Sequence, residues 1–193
     1  MTTYAFATVP KKESNAGRPK GKKQFIVIFR WPDIATYTRD EKGVRVTGFT
    51  FKAGKKPIAV YATGSTIHAY HTSEGDDDAR GFIHKVDFEH PGTEIEITEF
   101  SNNNINEDLG AIVIDCGASV DAKIAGEPGT PLKMVKADSQ DNKDADKTTI
   151  NLASVLRGNT LGFIVKSLIP STDNEEANAA LGLPAAGSGG TGI

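Results

Sequence analysis

Residues 80–116, RGFIHKVDFEHPGTEIEITEFSNNNINEDLGAIVIDC, carry the pattern on which the fold turns. Phe82, Val86 and Phe88 alternate with Ile83, Lys85, Asp87 and Glu89, the period of a strand with one buried and one wet face. His90-Pro91-Gly92 interrupts it, since proline brings no N–H to a ladder and glycine accepts a tight turn. Beyond the turn, Glu94, Glu96 and Glu99 interleave with Ile95, Ile97 and Phe100, which predicts a second strand with a solvated acidic face. After the polar excursion SNNNINEDLG, the run AIVIDC reads as a more deeply buried strand.

Working outward, Gln24 to Trp31 (QFIVIFRW) is an apolar run too short for a typical helix and rich in β-branched and aromatic residues, hence a central strand closed by Pro32. DIATYTRDEKG reads as a polar connection. The segments 44–51, 57–61 and 66–72 read as a meander of short antiparallel strands. Residues 120–126 and 131–137 flank the loop EPGT and alternate in the same way, and SQDNKDADK has the composition of a solvated loop. For 148–158 the spacing of Ile150, Leu152, Val155 and Leu156 favours a short amphipathic helix over a strand, with Gly158 as its stop. Thr160 to Ile169 is a last strand, and a helical turn is allowed over 174–181. The expectation is a mainly β domain, an antiparallel sandwich or barrel of nine to eleven strands with one or two short helices. It occupies 24–170 and carries a flexible basic N-terminal arm over 1–23 and a C-terminal tail over 171–193.

The chain has 193 residues, within the range of a single domain. Its 20 glycines and 7% aromatic content favour short strands and many turns over a helical bundle. A formal net charge of −3 argues for neither nucleic acid nor a membrane, and no segment is long and apolar enough to span a bilayer. The distribution of charge says more. Lys11, Lys12, Arg18, Lys20, Lys22 and Lys23 crowd the arm, while Glu74, Asp76, Asp77 and Asp78 form one acidic loop and Asp138, Asp141, Asp144 and Asp146 another. Cys116 is the single cysteine, so an intrachain disulfide is impossible, and its apolar context predicts a buried small side chain.

The chemistry-bearing residues assemble no recognisable centre. His68 and His71 point to opposite faces of a strand, His84 shares a face with Phe82, Val86 and Phe88 and reads as a packed, hydrogen-bonded imidazole, and His90 sits in a turn. No serine lies in a nucleophile elbow, no glycine pattern cradles phosphate, and the acidic loops match calcium sites only in composition. No catalytic, cofactor or metal residue is assigned. An enzyme would have to combine distant groups such as His84 with Glu96 or Asp87. Gly17-Arg18-Pro19 partly resembles an AT-hook core, which keeps a nucleic-acid contact through the arm open.

The order of an aromatic-bearing arm, a meander of short strands and a small-residue tail resembles bacteriophage virion proteins, with runs such as GFIHKVDFEHPGTEIEI and LGAIVIDC looking like strands of a tail-tube-type sandwich or barrel. The resemblance implies a self-assembling, non-enzymatic subunit of a virion built in the host cytoplasm, most simply a tail tube of stacked rings. Capsid decoration or head-to-tail completion is the alternative within that class, and a nucleic-acid-binding module lies outside it. Its partners would be further copies of itself, other virion proteins and nucleic acid at the arm or a lumen, with no membrane. The residues expected at assembly contacts are Tyr4 and Phe6, whose alternation with Val9 suits strand addition, the basic residues of the arm (Lys11, Lys12, Arg18, Lys20, Lys22 and Lys23), the loop carboxylates Glu74, Asp76, Asp77 and Asp78, and Glu94 and Glu96.

Overall fold

A computed structural model describes residues 6–11 and 17–185. Eleven strands form one mixed sheet that folds over on itself as an open, sandwich-like body. They are β1 (Lys22–Arg30), β2 (Ile34–Arg39), β3 (Arg45–Phe51), β4 (Ile58–Tyr61), β5 (His68–Glu74), β6 (Gly81–Pro91), β7 (Leu109–Asp115), β8 (Asp121–Ala125), β9 (Leu132–Asp141), β10 (Asp146–Ser154) and β11 (Gly162–Val165). The helices are α1 (Ile95–Asn104) and α2 (Glu175–Leu181).

The apolar runs of β1 and β7 are continuous because these two paired strands are buried on both faces. Side chains alternate across a strand, so Ile26 and Ile28 join Leu109, Ala111 and Val113 in one core, while Val27 and Phe29 join Ile112 and Ile114 in another. The first core is mostly aliphatic and lies between β1–β7 and the layer β9-β10-β6-β5, which supplies Met134, Leu152, Ile150, Val86 and Phe88. The second is closed by β3, β2 and α2 and is aromatic. Phe29 meets Trp31, Phe49 and Phe51 edge-to-face at centroid distances of 5.1, 5.0 and 6.1 Å, and Trp31 meets Tyr37 at 5.0 Å.

One strand path joins the two layers. Ala111 pairs with Ala125 of β8, and two residues along the same edge of β7, Leu109 pairs with Leu132 of β9. β8 and β9 are therefore one course of chain interrupted at 126–131, where it turns the corner from one layer to the other. The interruption is tight: Glu127 and Thr130 exchange backbone hydrogen bonds of 3.1 and 3.0 Å across Pro128-Gly129.

Several expectations are corrected. The segment beginning at Glu94 is helix, not strand: Ile97 is buried and Phe100 half-buried three positions on, and Asn104 is buried seven on, whereas Ile95 is 72% exposed. The i, i+3, i+7 face overrides the short alternation. Residues 148–154 lie in β10 rather than a helix, with Thr148, Ile150, Leu152 and Ser154 all buried on one face and Val155 and Leu156 outside in solvent. The expected polar connection contains β2, and β9 and β10 extend into the expected loop as far as Asp141 and back from Asp146. The expected meander does not exist as pairing, because β3 pairs with β2 and β11, β4 with β1, and β5 with β6. Cys116 is exposed, one residue past the end of β7 and two past its last buried residue, Ile114. The body also extends past both expected boundaries. It begins at Lys22, and it includes the first part of the tail, since Thr172, Asn178, Leu181 and Leu183 are buried. α2 is fastened by Asn174, whose side chain caps Ala177 N at 2.9 Å, and by Gly182 in the left-handed conformation (φ 72°).

Candidate functional site

Two places gather polar groups, a buried corner beyond Arg30 of β1 and an open groove on the far side of β4. At the Arg30 end lies the corner. His84, 1% exposed, receives the N–H of Gly126 at Nδ1 (2.9 Å) and faces the carbonyl of Asn159 with Nε2 (2.7 Å). A carbonyl only accepts, so Nε2 carries the proton and the ring is neutral. Burial lowers its pKa below the ordinary 6.5, although the Asn159 carbonyl and Glu127 oppose that shift. Asn159 also donates its side-chain N–H to Glu127 Oε2 at 3.2 Å, and the other oxygen, Oε1, meets Arg39 Nη2 at 2.5 Å. Arg39 is held further by Tyr37 Oη (2.8 Å) and by the carbonyls of Gly43 (2.7 Å) and Thr160 (3.1 Å). Burial raises the Tyr37 pKa against the pull of Arg39. Gly158 must lack a side chain, because a Cβ there would stand 2.8 Å from Thr130 Oγ1 and 3.2 Å from Glu127 Oε2. The cluster ties β2, β6, the corner turn and the chain entering β11 together. Its ionisable and amide groups are partnered within the chain, while the buried Thr130 hydroxyl and the nearby Trp31 indole N–H have no hydrogen-bond partner among the described residues, and the arrangement suits a fastener.

Beside β4 the surface is open. β4 pairs with β1 on one side, and along its other edge runs a groove of about 280 Å³ lined by Ile58 to Tyr61, by His90, by Glu96, Ile97 and Phe100 of α1, and by Asp173. His90 spans its end: Nδ1 donates to the Tyr61 carbonyl at 2.9 Å, and Nε2 stands 3.4 Å from Glu94 Oε2. The groove has an apolar floor and an acidic rim.

The expected interface residues divide. Tyr4 and Lys12 lie outside the described residues. Phe6 and Val9 are wholly exposed, and Lys11, Arg18 and Lys20 are exposed as well. Lys22 and Lys23 belong to the body rather than the arm: Lys22 pairs with Asp115 and Lys23 donates to the Ala180 carbonyl at 2.6 Å. Glu74 lies 4.0 Å from Lys85 and Asp77 3.5 Å from Arg80, both largely in water, with Asp76 and Asp78 in the same exposed turn. Glu96, on the helix that replaced the expected strand, lines the groove, and Glu94 precedes that helix beside His90. His84 is not joined to Asp87, which instead accepts from Tyr70 (3.0 Å) and Asn151 (2.5 Å), nor to Glu96, which lines the groove. Among the described residues, no group of three or more His, Cys, Asp and Glu could hold a metal ion.

Arg39, Glu127 and Asn159 escaped the sequence reading, as did Asp173. Each sits in a polar or turn segment where hydrophobic period is silent. The one signal was a tight Pro-Gly turn next to an ionisable residue, Glu127, with a strand pattern on either side. In comparisons with protein-family models, with curated proteins and with solved structures, no match is found.

Proposed function

We propose that this chain is a self-assembling structural subunit of a phage-like particle, with a tail tube of stacked rings as the first candidate and a capsid-decoration or head-to-tail completion role as the second. The observation that carries the reading is the state of the sheet edges. β4 and β5 each pair on one side only, and neither carries a lysine, a proline or a register shift. Monomeric proteins usually blunt such edges, because a row of unpaired N–H and C=O groups templates another strand. Here the same chain also holds an apolar-patterned N-terminal segment in solvent, with Phe6 and Val9 exposed. Closed or helical homotypic assembly would use both.

Nucleic-acid binding through the arm is the competing reading. It loses Lys22 and Lys23 to contacts within the body, although Arg18 and Lys20 remain exposed. Negative-stain electron microscopy of the purified full chain separates the two. Rings or tubes that disappear on removal of residues 1–20 support assembly. A monodisperse monomer that binds DNA with steep salt dependence supports the other reading.

A further inference from the structure

We infer that the groove between β4 and α1 is the receptor for the N-terminal segment of a second copy, which enters as an added strand with Phe6 on the apolar floor. The inference rests on homotypic assembly and names the joint that makes it.

The backbone of β4 sets the geometry. Ala62 donates its N–H toward β1, to the Gln24 carbonyl at 2.8 Å, while the Tyr61 carbonyl is turned the other way, toward His90. In an antiparallel strand the N–H and C=O of one residue point to the same side and neighbours alternate. Tyr61 and Ala59 therefore present their groups to the groove, and Val60 and Ile58 present theirs to β1. His90 covers the Tyr61 carbonyl, which leaves the Tyr61 N–H and both groups of Ala59 for an incoming chain. A strand laid there would drop alternate side chains against Ile97 and Phe100 of the flanking helix. This is the arrangement of a peptide held between an edge strand and a helix.

The occupant follows from pattern, charge and position. Residues 4–7, YAFA, alternate aromatic and small side chains, Thr8 and Val9 continue the segment, and two lysines follow at 11 and 12. The rim carries Glu96 and Asp173, with Glu94 beside His90. Basic residues after the apolar segment would meet that acidic rim. Phe25, where β1 begins its pairing with Tyr61, lies beside the groove, and the chain between Phe6 and Phe25 could span roughly 60 Å at about 3.3 Å per residue. The segment could therefore reach the groove of its own copy, yet Phe6 and Val9 stand clear of it. A neighbouring copy is the occupant that uses both surfaces.

The test is a disulfide trap in full-length protein with the exposed Cys116→Ser replacement as background. One preparation carries Phe6→Cys and a second carries Glu96→Cys; they are mixed and oxidised under conditions where the protein assembles. The expected product is a heterodimer on non-reducing gels. Pairing Phe6→Cys with Val155→Cys, an exposed site at the corner end, should give at least about tenfold less. Phe6→Ala should reduce assembly at a given concentration by about tenfold or more, without changing the melting temperature. Assembly that persists with no 6–96 cross-link would overturn the joint while leaving homotypic assembly standing. A chain carrying both cysteines that closes on itself as a monomer would make the occupant its own arm and overturn the second-copy inference. A protein that neither assembles nor cross-links would overturn both.

Discussion

The corner and the groove beside β4 solve opposite problems. At the corner, ionisable and amide groups are withdrawn from water and matched to one another, so that His84, Glu127 and Arg39 spend their hydrogen-bonding capacity within the chain. Along β4, a strand edge, an apolar floor and the carboxylates of Glu96 and Asp173 face solvent. Buried polar groups must be satisfied in the monomer or they oppose folding, whereas exposed ones can wait for a partner. The difference separates what holds this fold from what the fold presents.

Breaking the corner should produce the largest effect on stability. Glu127→Ala leaves the Arg39 guanidinium buried beside an empty space and should cost about 3–5 kcal/mol in denaturant unfolding. Replacing both partners, Arg39→Met with Glu127→Leu, should recover a large part of that loss, and failure to recover it would show that the hydrogen bonds to Gly43 and Thr160 matter more than the ion pair.

The next effect comes from α1, which belongs to the groove and the aliphatic core together. Ile97→Ala should cost about 2–4 kcal/mol, while Ile95→Ala, two residues away, should change stability by less than about 0.5 kcal/mol. Equal costs would restore the strand reading of this segment.

A smaller effect, specific to the corner, is set by pH. His84 has a lowered folded pKa, so the unfolded chain binds its proton more readily. Its contribution is present in full above about pH 6.5 and is lost as pH falls from there through the lowered folded value. Protonation would also set an N–H of the ring against the N–H of Gly126. The charges facing the ring are Glu127 and Arg39, with His71 opposite it on β5, and Glu127 softens the loss while Arg39 and His71 add to it. Unfolding free energy measured from pH 7.5 to 5 should fall more steeply in the native chain than in His84→Asn. Parallel curves would show that His84 makes no such contribution.

Against these, Phe6→Ala should leave stability unchanged within about 0.5 kcal/mol, since Phe6 contributes nothing to either core. That insensitivity is the counterpart of the corner: a residue without value to the monomer is the one expected to matter between copies.

Much of this contrast was legible in the sequence. Continuous apolar runs announced β1 and β7, and the face shared by His84, Val86 and Phe88 announced a packed histidine, because burial writes itself into periodicity. The helix at Ile95 was misread because EIEIT alternates over a span shorter than two helical turns, and its deciding residues, Phe100 and Asn104, come later. β10 was misread because Val155 and Leu156, which complete a helical pattern on paper, lie beyond the strand in solvent. The corner partners were invisible for another reason. Arg39, Glu127 and Asn159 are distant in the chain and polar, and only the turn of a single strand path from one layer to the other brings them together.

The groove beside β4 is proposed to join copies of this chain. Sedimentation velocity of the full chain over a broad concentration series, beside the chain lacking residues 1–20, tests it most directly. The full chain should grow to large, concentration-dependent species while the shortened chain should remain a folded monomer. A full chain that sediments as a monomer at every concentration would contradict it.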